Sequence, residues 1–257
     1  MDSPTILDVN DVTLRFGGVT ALQEASFSLK AGELFAIIGP NGAGKTSIFN
    51  CINGVYRPQN GSILFDGDEL IGESPVSVAR KGVGRTFQNL GLFMNLNLID
   101  NLLLGRHLQM KTGFLSGALW WGRAKNEEIK NRQKIEKIID LLELQPHRYQ
   151  PVGLLPYGIQ KRVELGRALS MEPRILLLDE PVAGMNLEET EDMARYILEI
   201  NNELGISILL VEHDMAMVMD IADIVMALDF GQTIATGSPK EVQSDQRVIA
   251  AYLGEAP

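Results

Sequence analysis

The residues whose types and spacing most clearly specify chemistry lie in one stretch, Gly39-Pro40-Asn41-Gly42-Ala43-Gly44-Lys45-Thr46. It matches the phosphate-binding pattern G-x-x-x-x-G-K-[ST] at every specified position. Glycines let backbone N–H groups close around phosphate oxygens, and the N-terminus of a following helix adds partial positive charge. Lys45 would reach the β- and γ-phosphates, and the Thr46 hydroxyl would hold Mg²⁺. We therefore predict that the chain binds a nucleotide together with Mg²⁺.

The sequence on either side supplies the context that this loop needs. Leu34–Ile38 is a continuous apolar run, which is typical of a strand buried on both faces. Residues 47–53 can form a helix that stops at Gly54. A chance match would occur in roughly 1% of chains of this length at ordinary residue usage. The order of strand, glycine loop and helix makes that alternative weaker still.

Two carboxylates follow a second predicted buried strand. Residues 175–178 are apolar and end in Asp179-Glu180. If this strand lies beside the phosphate loop, Asp179 can hold Mg²⁺ and Glu180 can orient or deprotonate an attacking water. His213 ends another buried strand, 206–211, and would face the same crevice. Taken alone, the acids could cap a helix and the histidine could be a core residue, but the upstream phosphate loop favours catalysis.

Two further side chains stand where a nucleotide could reach them. Gln88 follows a short strand at 83–87, at the end where an open α/β sheet forms its ligand crevice. Phe16 ends the first of two alternating segments around Gly17-Gly18, which predict antiparallel strands. Its ring could stack on a nucleotide base. The ordinary alternatives are a solvated loop glutamine and a core phenylalanine.

Composition narrows the class of protein. A chain of 257 residues has room for one large domain or a domain with a smaller lobe. The net charge of -10 and a pI near 4.9 argue against a nucleic-acid partner. No run approaches about 18 apolar residues and no signal pattern opens the chain, so we expect a cytoplasmic protein. Cys51, the single cysteine, predicts a buried structural thiol.

Residues 89–160 differ in sequence pattern from the rest of the chain, because they contain no continuous apolar run typical of a buried strand. Residues 98–108 and 129–142 are expected to be helices, the second with an apolar stripe of Ile129, Ile135, Ile138, Ile139 and Leu142. Between them, residues 113–121 are apolar and rich in glycine but too short to span a bilayer. Such a segment could be a partner-facing patch or a local mini-core.

Throughout its length the chain resembles the ATPase subunits of ABC transporters. The following stretches match that family's motifs in order: Gly39–Thr46 (Walker A), Gln88 (Q-loop), residues 155–162 (signature), 175–180 (Walker B), 183–186 (D-loop) and His213 (switch histidine). Phe16 matches the aromatic that stacks on adenine. Residues 85–89, 155–158, 183–186 and the tail 248–254 resemble one subgroup, the longer ATPase of branched-chain amino-acid importers.

The resemblance implies an α/β fold of the P-loop NTPase (RecA-like) type, with an antiparallel β-lobe and a helical subdomain. Residues 1–88 and 161–257 would form the nucleotide-binding core, and residues 89–160 the helical subdomain. It implies catalytic roles for Glu180, His213 and Gln88, and Mg²⁺ ligation by Thr46, Gln88 and Asp179. ATP would be held by Phe16, the residues of Gly39–Thr46, Ser47, Tyr157 and Gly158.

The same resemblance implies partners and a location. ATPases of this family form head-to-tail dimers with two ATP molecules at the interface. The chain would pair with a second ABC ATPase, or with itself, and bind two transmembrane permease subunits. A periplasmic solute-binding protein would be an indirect partner, and nucleic acid would not be one. These expectations place the chain in the cytoplasm, peripherally on the inner face of the cell membrane.

Two positions depart from the wider family. Pro156 replaces a signature serine whose hydroxyl touches the γ-phosphate of the partner's ATP, and Asn186 replaces the usual D-loop aspartate. The subgroup tolerates both changes, so we expect activity with altered contacts across the dimer.

Other functions remain as alternatives. The chain could serve uptake of urea or amides, or lipopolysaccharide export, with identical core chemistry. A soluble nucleotide-gated ABC protein is a further alternative, against which the single ATPase unit and low pI argue. The tripeptide Asp229-Phe230-Gly231 spells a kinase motif, but no kinase catalytic loop precedes it.

Overall fold

The computed structural model describes residues 3–86, 90–106 and 123–253. They group into two compact units, one comprising Met1–Arg85 with Arg174–Pro257 and the other Thr86–Pro173. Predictions for Gln88, for the ends of the 83–87 and 98–108 segments, and for the apolar segment at 113–121 lie outside the described residues. Within the described ranges, no helix is long and apolar enough to cross a membrane.

In the part of the first unit that the structure describes there are ten strands, numbered in chain order. They are β1 (Thr5–Phe16), β2 (Val19–Lys30), β3 (Leu34–Ile38), β4 (Asn60–Phe65), β5 (Asp68–Glu69), β6 (Val83–Arg85), β7 (Ile175–Asp179), β8 (Ser207–Val211), β9 (Ile224–Asp229) and β10 (Gln232–Gly237).

A six-stranded sheet in the order β10-β9-β3-β8-β7-β6 forms the centre of the first unit. Its strands are parallel except β10, which runs antiparallel to β9. Every residue of β3, β7 and β8 is buried, as expected of strands covered on both faces. Strand β8 lies between β3 and β7, so the strand that ends in Asp179 is one strand removed from the strand that leads into the phosphate loop.

A second, four-stranded antiparallel sheet has the order β2-β1-β4-β5. Its register pairs Val12 with Ala25 and Leu14 with Leu22, which confirms the antiparallel strands predicted on either side of Gly17-Gly18. These four side chains are buried, whereas Phe16 at the end of β1 is half exposed. The alternation of the sequence therefore gives this sheet one core-facing side.

Six helices complete the first unit among the described residues: α1 (Lys45–Ile52), α2 (Pro75–Lys81), α6 (Leu187–Leu204), α7 (Met215–Ile221), α8 (Pro239–Ser244) and α9 (Gln246–Leu253). Helix α2 begins after a Ser74 cap that accepts from Ser77 N, and it ends at Gly82 in the left-handed region, as a capping serine before a proline and a terminal glycine indicate. Helix α1 begins at Lys45, before the predicted residue 47. The lysine and threonine of the phosphate-binding pattern therefore lie in its first turn.

The second unit is helical, with α3 (Leu98–Gly105), α4 (Arg123–Leu141) and α5 (Tyr157–Leu169). Ile135, Ile139 and Leu142 are buried as predicted, but Ile129 is exposed. A Cβ on Gly166 of α5 would lie 3.0 Å from a Leu102 methyl and 3.1 Å from a Leu142 methyl. Helix α5 therefore packs closely against α3 and the C-terminal end of α4 within this unit.

Candidate nucleotide-binding site

The loop Gly39–Gly44 connects β3 to α1, and its backbone can be formed only with glycine at two positions. A Cβ on Gly39 would lie 2.1 Å from the Leu228 carbonyl oxygen, and one on Gly44 would lie 2.6 Å from that of Ala21. Gly42 has φ 84°, and nothing lies within 4 Å of where its Cβ would be. The loop is thus packed against protein at both ends and open at Gly42, as a backbone cradle for phosphate requires.

Neighbouring turns hold this loop in place. Gly231 N, between β9 and β10, donates to the Ala43 carbonyl oxygen at 2.8 Å, and Gln23 N on β2 donates to Gly231 O at 2.8 Å. The tripeptide Asp229-Phe230-Gly231 therefore supports the phosphate loop from behind. The tripeptide is a turn between two strands, so its likeness to a kinase motif is confined to the sequence.

Lys45 is buried, and its ammonium group caps the start of the loop. Nζ donates to the Gly39 carbonyl at 2.7 Å and to the Pro40 carbonyl at 3.1 Å. Burial lowers the pKa of Lys45 below its ordinary value, while the nearby carboxylates of Glu180, Asp179 and Glu212 oppose that shift. An ammonium held this way among carbonyls and carboxylates can exchange a carbonyl partner for a phosphate oxygen.

Asp179 ends β7 and is buried. Its Oδ2 accepts from Arg85 Nη2 at 3.0 Å, and Arg85 Nη1 donates to Asn50 Oδ1 at 2.7 Å. Because Asn50 lies on α1, one guanidinium connects the acid to the helix that carries Lys45. The sequence indicated Arg85 only as part of the stretch 85–89 and predicted neither its contact with Asp179 nor that with Asn50.

Glu180 turns the chain away from β7 in a strained conformation. Its φ is 49°, in the left-handed region that residues other than glycine seldom adopt. The backbone is held there by Glu180 N donating to Val211 O of β8 at 2.8 Å. Such outliers cluster at functional sites, where the surrounding structure enforces them. The half-buried side chain therefore starts from a fixed backbone.

His213 lies just beyond β8, and Asp179 pairs with Val211 in the β7–β8 register. The acid pair and the histidine therefore leave adjacent strands at the same level, as expected from the sequence. The His213 side chain is 57% exposed, with Nδ1 3.6 Å from Glu212 Oε2. Glu212 is fully buried and was missed in the sequence reasoning. The signal for it was a charged residue directly after an all-apolar strand.

The available ligands suit magnesium rather than a metal enclosed by protein. Among the residues that the structure describes, no cluster of three His, Cys, Asp or Glu side chains could hold a metal ion. The Thr46 hydroxyl and the Asp179 carboxylate offer hard oxygen donors. Mg²⁺ is typically bound by one or two protein oxygens and completed by phosphates and water. The site therefore fits Mg²⁺ that arrives with a nucleotide.

Phe16 presents an aromatic ring on the same unit. Its side chain is 47% exposed, and its ring meets Tyr56 edge-on at a centroid distance of 5.0 Å. An edge-on neighbour fixes the ring while leaving surface available for stacking. The geometry is compatible with the expected contact to adenine.

Tyr157 and Gly158 are the first two residues of α5 in the second unit. The N-cap is Pro156, which supplies no side-chain hydrogen bond, and Gln160 Nε2 donates back to Leu155 O at 2.8 Å. The helix N-terminus thus presents backbone N–H groups without a capping hydroxyl.

Asn186 is explained by its position at the N-cap of α6. Its side chain accepts from Glu189 N at 3.0 Å, and Asn186 N donates to Glu189 Oε2 at 3.1 Å. This is a capping box, in which asparagine is as effective as aspartate. The replacement therefore preserves the start of the helix.

A strand-loop-helix phosphate site with adjacent strand-terminal acids and histidine defines a nucleotide-hydrolysing ATPase of the P-loop class. The model of the family described as ABC transporter matches residues 22–183, and that of the branched-chain amino acid ATP-binding cassette transporter matches residues 232–257. The chain belongs to the ABC transporter family of ATP-binding proteins.

Curated relatives match from end to end. The chain is 42% identical to the high-affinity branched-chain amino acid transport ATP-binding protein LivG of Salmonella typhimurium, covering 99% of this chain and 100% of the relative. It is 39% identical to BraF of Pseudomonas aeruginosa, described in the same words, over 99% and 100% of the two chains.

Solved structures agree with the fold. A nucleotide-free ATP-binding cassette from an ABC transporter superposes with a TM-score of 0.84 at 30% identity, covering 98% of this chain and 100% of that one. An ATP-binding cassette of an ABC transporter in its ADP conformation gives 0.84 at 29% identity, with the same coverage.

Proposed function

We propose that this chain is the ATP-hydrolysing subunit of an importer for branched-chain amino acids, attached to the inner face of the cell membrane through its permease partners. The observation that carries the ATPase assignment is Lys45, buried on the phosphate loop amid the carboxylates of Asp179, Glu180 and Glu212. The substrate assignment is supported by the names of the end-to-end relatives and by the match of the tail to a branched-chain amino-acid family.

The residues divide the work of ATP hydrolysis. Lys45 and the backbone of residues 42–47 would bind the phosphates, and Phe16 would stack on adenine. Thr46, Asp179 and Gln88 would hold Mg²⁺, which neutralises charge on the phosphates when bound. Glu180 would accept a proton from the attacking water. His213 would donate a ring N–H to the γ-phosphate, and Gln88 would respond to that phosphate as a hinge.

Tyr157 and Gly158 act across a dimer in this proposal. The N-terminus of α5 would approach ATP bound to the partner ATPase, since helix N-termini attract anions. Because Pro156 offers no hydroxyl, we propose that the chain pairs with a second, related ATPase rather than chiefly with itself.

The second unit is proposed to contact the permeases through an exposed apolar surface. That surface consists of Phe93, Met94, Leu96, Tyr149 and Leu154, the last 80% exposed. Val152 N donates to Leu96 O at 3.0 Å and Gly153 N donates to Met94 O at 2.9 Å, so the two segments that form it are joined. A contiguous apolar patch on a protein surface commonly marks a contact site.

Cysteine crosslinking tests this contact, and the chain suits the experiment because Cys51 is buried. We expect Leu154→Cys to crosslink to a co-expressed permease carrying a cysteine on its cytoplasmic side. The matched control is Lys240→Cys, an exposed position on α8 in the first unit. Crosslinks from the control but not from residue 154 would contradict the assignment.

Uptake measurements test the substrate. We expect deletion of the gene to abolish high-affinity uptake of labelled leucine, isoleucine and valine by cells, and the parental chain but not Glu180→Gln to restore it. Normal leucine uptake with loss of urea or amide uptake would assign the chain to one of those systems instead.

A further inference from the structure

We propose that Glu212 is a positioning residue that holds His213 and the segment after Glu180 in one arrangement for ATP hydrolysis. The proposal rests on the roles proposed above for His213 and Glu180. Glu212 is fully buried at the end of β8. It belongs to none of the motifs that carry the family resemblance.

One carboxylate binds the backbone of two loops. Glu212 Oε1 accepts from Val182 N at 3.1 Å. Glu212 Oε2 accepts from His213 N at 2.8 Å and from Asp214 N at 3.2 Å. The donors therefore come from the loop that carries the histidine and from the loop that follows the acid pair.

These contacts fix the backbone on both sides of the catalytic crevice. The Val182 contact lies two residues beyond Glu180, whose own N–H donates to Val211 O at 2.8 Å. The two loops are thus tied together once through the β8 backbone and once through the Glu212 side chain. A shift of about 1 Å in a catalytic group can cost about a hundredfold in rate, so a connection of this kind affects turnover.

The hydrogen-bond pattern requires a carboxylate. Both oxygens of Glu212 accept, and each faces a backbone N–H. Glutamine has the same length but only one acceptor atom, and its NH₂ group would face an N–H donor. In Glu212→Gln, one of these backbone N–H groups would therefore face an NH₂ group and lose its hydrogen bond, with little change in side-chain volume. Glu212→Asp keeps two acceptors but shortens their reach.

A purely structural role is the competing explanation, and Ser207 supplies the matched control. Ser207 is buried at the opposite end of β8, where its hydroxyl oxygen accepts from Gly32 N at 2.9 Å. Ser207→Ala removes a buried hydrogen bond from the same strand without touching the crevice. We expect it to lower the melting temperature while kcat stays within about twofold of the parent.

The test measures kcat, affinity for a fluorescent ATP analogue and melting temperature on the full-length chain under conditions where the parent hydrolyses ATP. We expect Glu212→Gln to lower kcat by about tenfold to a hundredfold, with affinity within about twofold of the parent. Parental kcat in this variant would overturn the proposal. If Glu212→Gln does not fold, Glu212→Asp replaces it, with reduced kcat expected and parental kcat again decisive against the proposal.

A double-mutant cycle shows whether Glu212 acts through His213. We expect the double variant, Glu212→Gln with His213→Ala, to be no slower than the slower single variant. The reason is that both changes disturb the same set of interacting residues. Losses that multiply would overturn the proposed positioning of His213. A parental kcat in His213→Ala alone would instead contradict the proposed role of the histidine, so the two failures are distinguishable.

Discussion

Arg85 and Asp179 form a buried ion pair at the ends of the adjacent strands β6 and β7, with 3.0 Å between Nη2 and Oδ2. Asp179 is also the carboxylate proposed to hold Mg²⁺. Through Nη1 the same guanidinium reaches Asn50 on α1, and its centre lies 5.6 Å from the centroid of the Phe49 ring. Arg85 therefore stabilises the acid before a metal ion is present.

Replacing Arg85 should destabilise the chain most strongly without nucleotide. We expect Arg85→Met to lower stability by about 3–5 kcal/mol, because Asp179 loses a buried cationic partner. Saturating Mg²⁺ and ATP should reduce the difference in stability between Arg85→Met and the parent, since Mg²⁺ then supplies positive charge to Asp179. Thermal unfolding with and without Mg²⁺-ATP measures both quantities. An equal difference in the two conditions would argue against Asp179 as a metal ligand.

Glu180→Gln should abolish turnover but preserve nucleotide binding. Removing a general base costs about a hundredfold or more, whereas the phosphate loop and Lys45 remain intact. Phosphate release and titration with a fluorescent nucleotide measure the two effects. Glu203→Gln, an exposed change near the end of α6, is the control and should behave like the parent. Near-parental hydrolysis by Glu180→Gln would show that another group activates the water.

Lys45→Ala should weaken nucleotide binding itself. A hydrogen bond to a charged group contributes about 1.5–3 kcal/mol, so affinity for ATP should fall by about one to two decades. Lys137→Ala removes the same charge from an exposed position on α4 and should leave affinity unchanged. Titration with a fluorescent nucleotide gives both affinities. Equal affinity of the Lys45 variant and the parent would refute the phosphate-loop assignment.

Cys51 should be chemically silent in the folded chain. Burial raises the pKa of its thiol from the usual 9.0 to about 12, so the reactive thiolate is scarce near neutral pH. The folded state therefore keeps this proton where the unfolded state loses it. The thiol's contribution to stability is fully present below pH 9.0 and is lost as the pH rises towards about 12. Labelling with a maleimide at pH 7 should require denaturant, and rapid labelling of the native chain would contradict the burial.

Pro156→Ser should strengthen ATP-driven pairing of this chain with itself. A serine at this N-cap could accept a hydrogen bond from the first turn of α5, which would stabilise the helix by about 0.5–2 kcal/mol. Alternatively, its hydroxyl could donate to the γ-phosphate of ATP on the partner. The second contact is worth about one to two decades in dimer formation. Sedimentation of Glu180→Gln chains with Mg²⁺-ATP, with and without Pro156→Ser, measures the change. No increase in dimer would show that the proline does not limit pairing.

The second ATPase provides the complementary experiment. We expect this chain alone to be mostly monomeric and slow, and its partner to raise turnover. If the partner ATPase keeps the signature serine, it supplies that hydroxyl to the ATP site that contains Lys45 of this chain. That site is then the more complete of the two. Glu180→Gln here should then cost more than the equivalent change in the partner. Equal losses from the two changes, or brisk turnover by this chain alone, would exclude the asymmetry.

Structural features formed by residues that are close together in the chain could be predicted from the sequence. The phosphate loop is specified by neighbours in the chain: an apolar strand, glycines at fixed spacing and a lysine at the helix start. The β1–β2 pair and the cap at Ser74 are likewise local, because alternation and capping depend on residues a few positions apart. Their physical cause lies in backbone geometry, which short stretches of sequence determine.

Contacts between distant segments were decided by the tertiary structure. The sequence indicated that β7 and β8 end in functional residues, but not that β8 lies between β3 and β7, since any apolar strand can pair with another. Only the pairing of β7 with β8 brings Val182 N to Glu212 Oε1, and only the β6–β7 pairing brings Arg85 to Asp179. A buried charge has no local pattern of its own, because the partners that make its burial possible come from elsewhere in the chain.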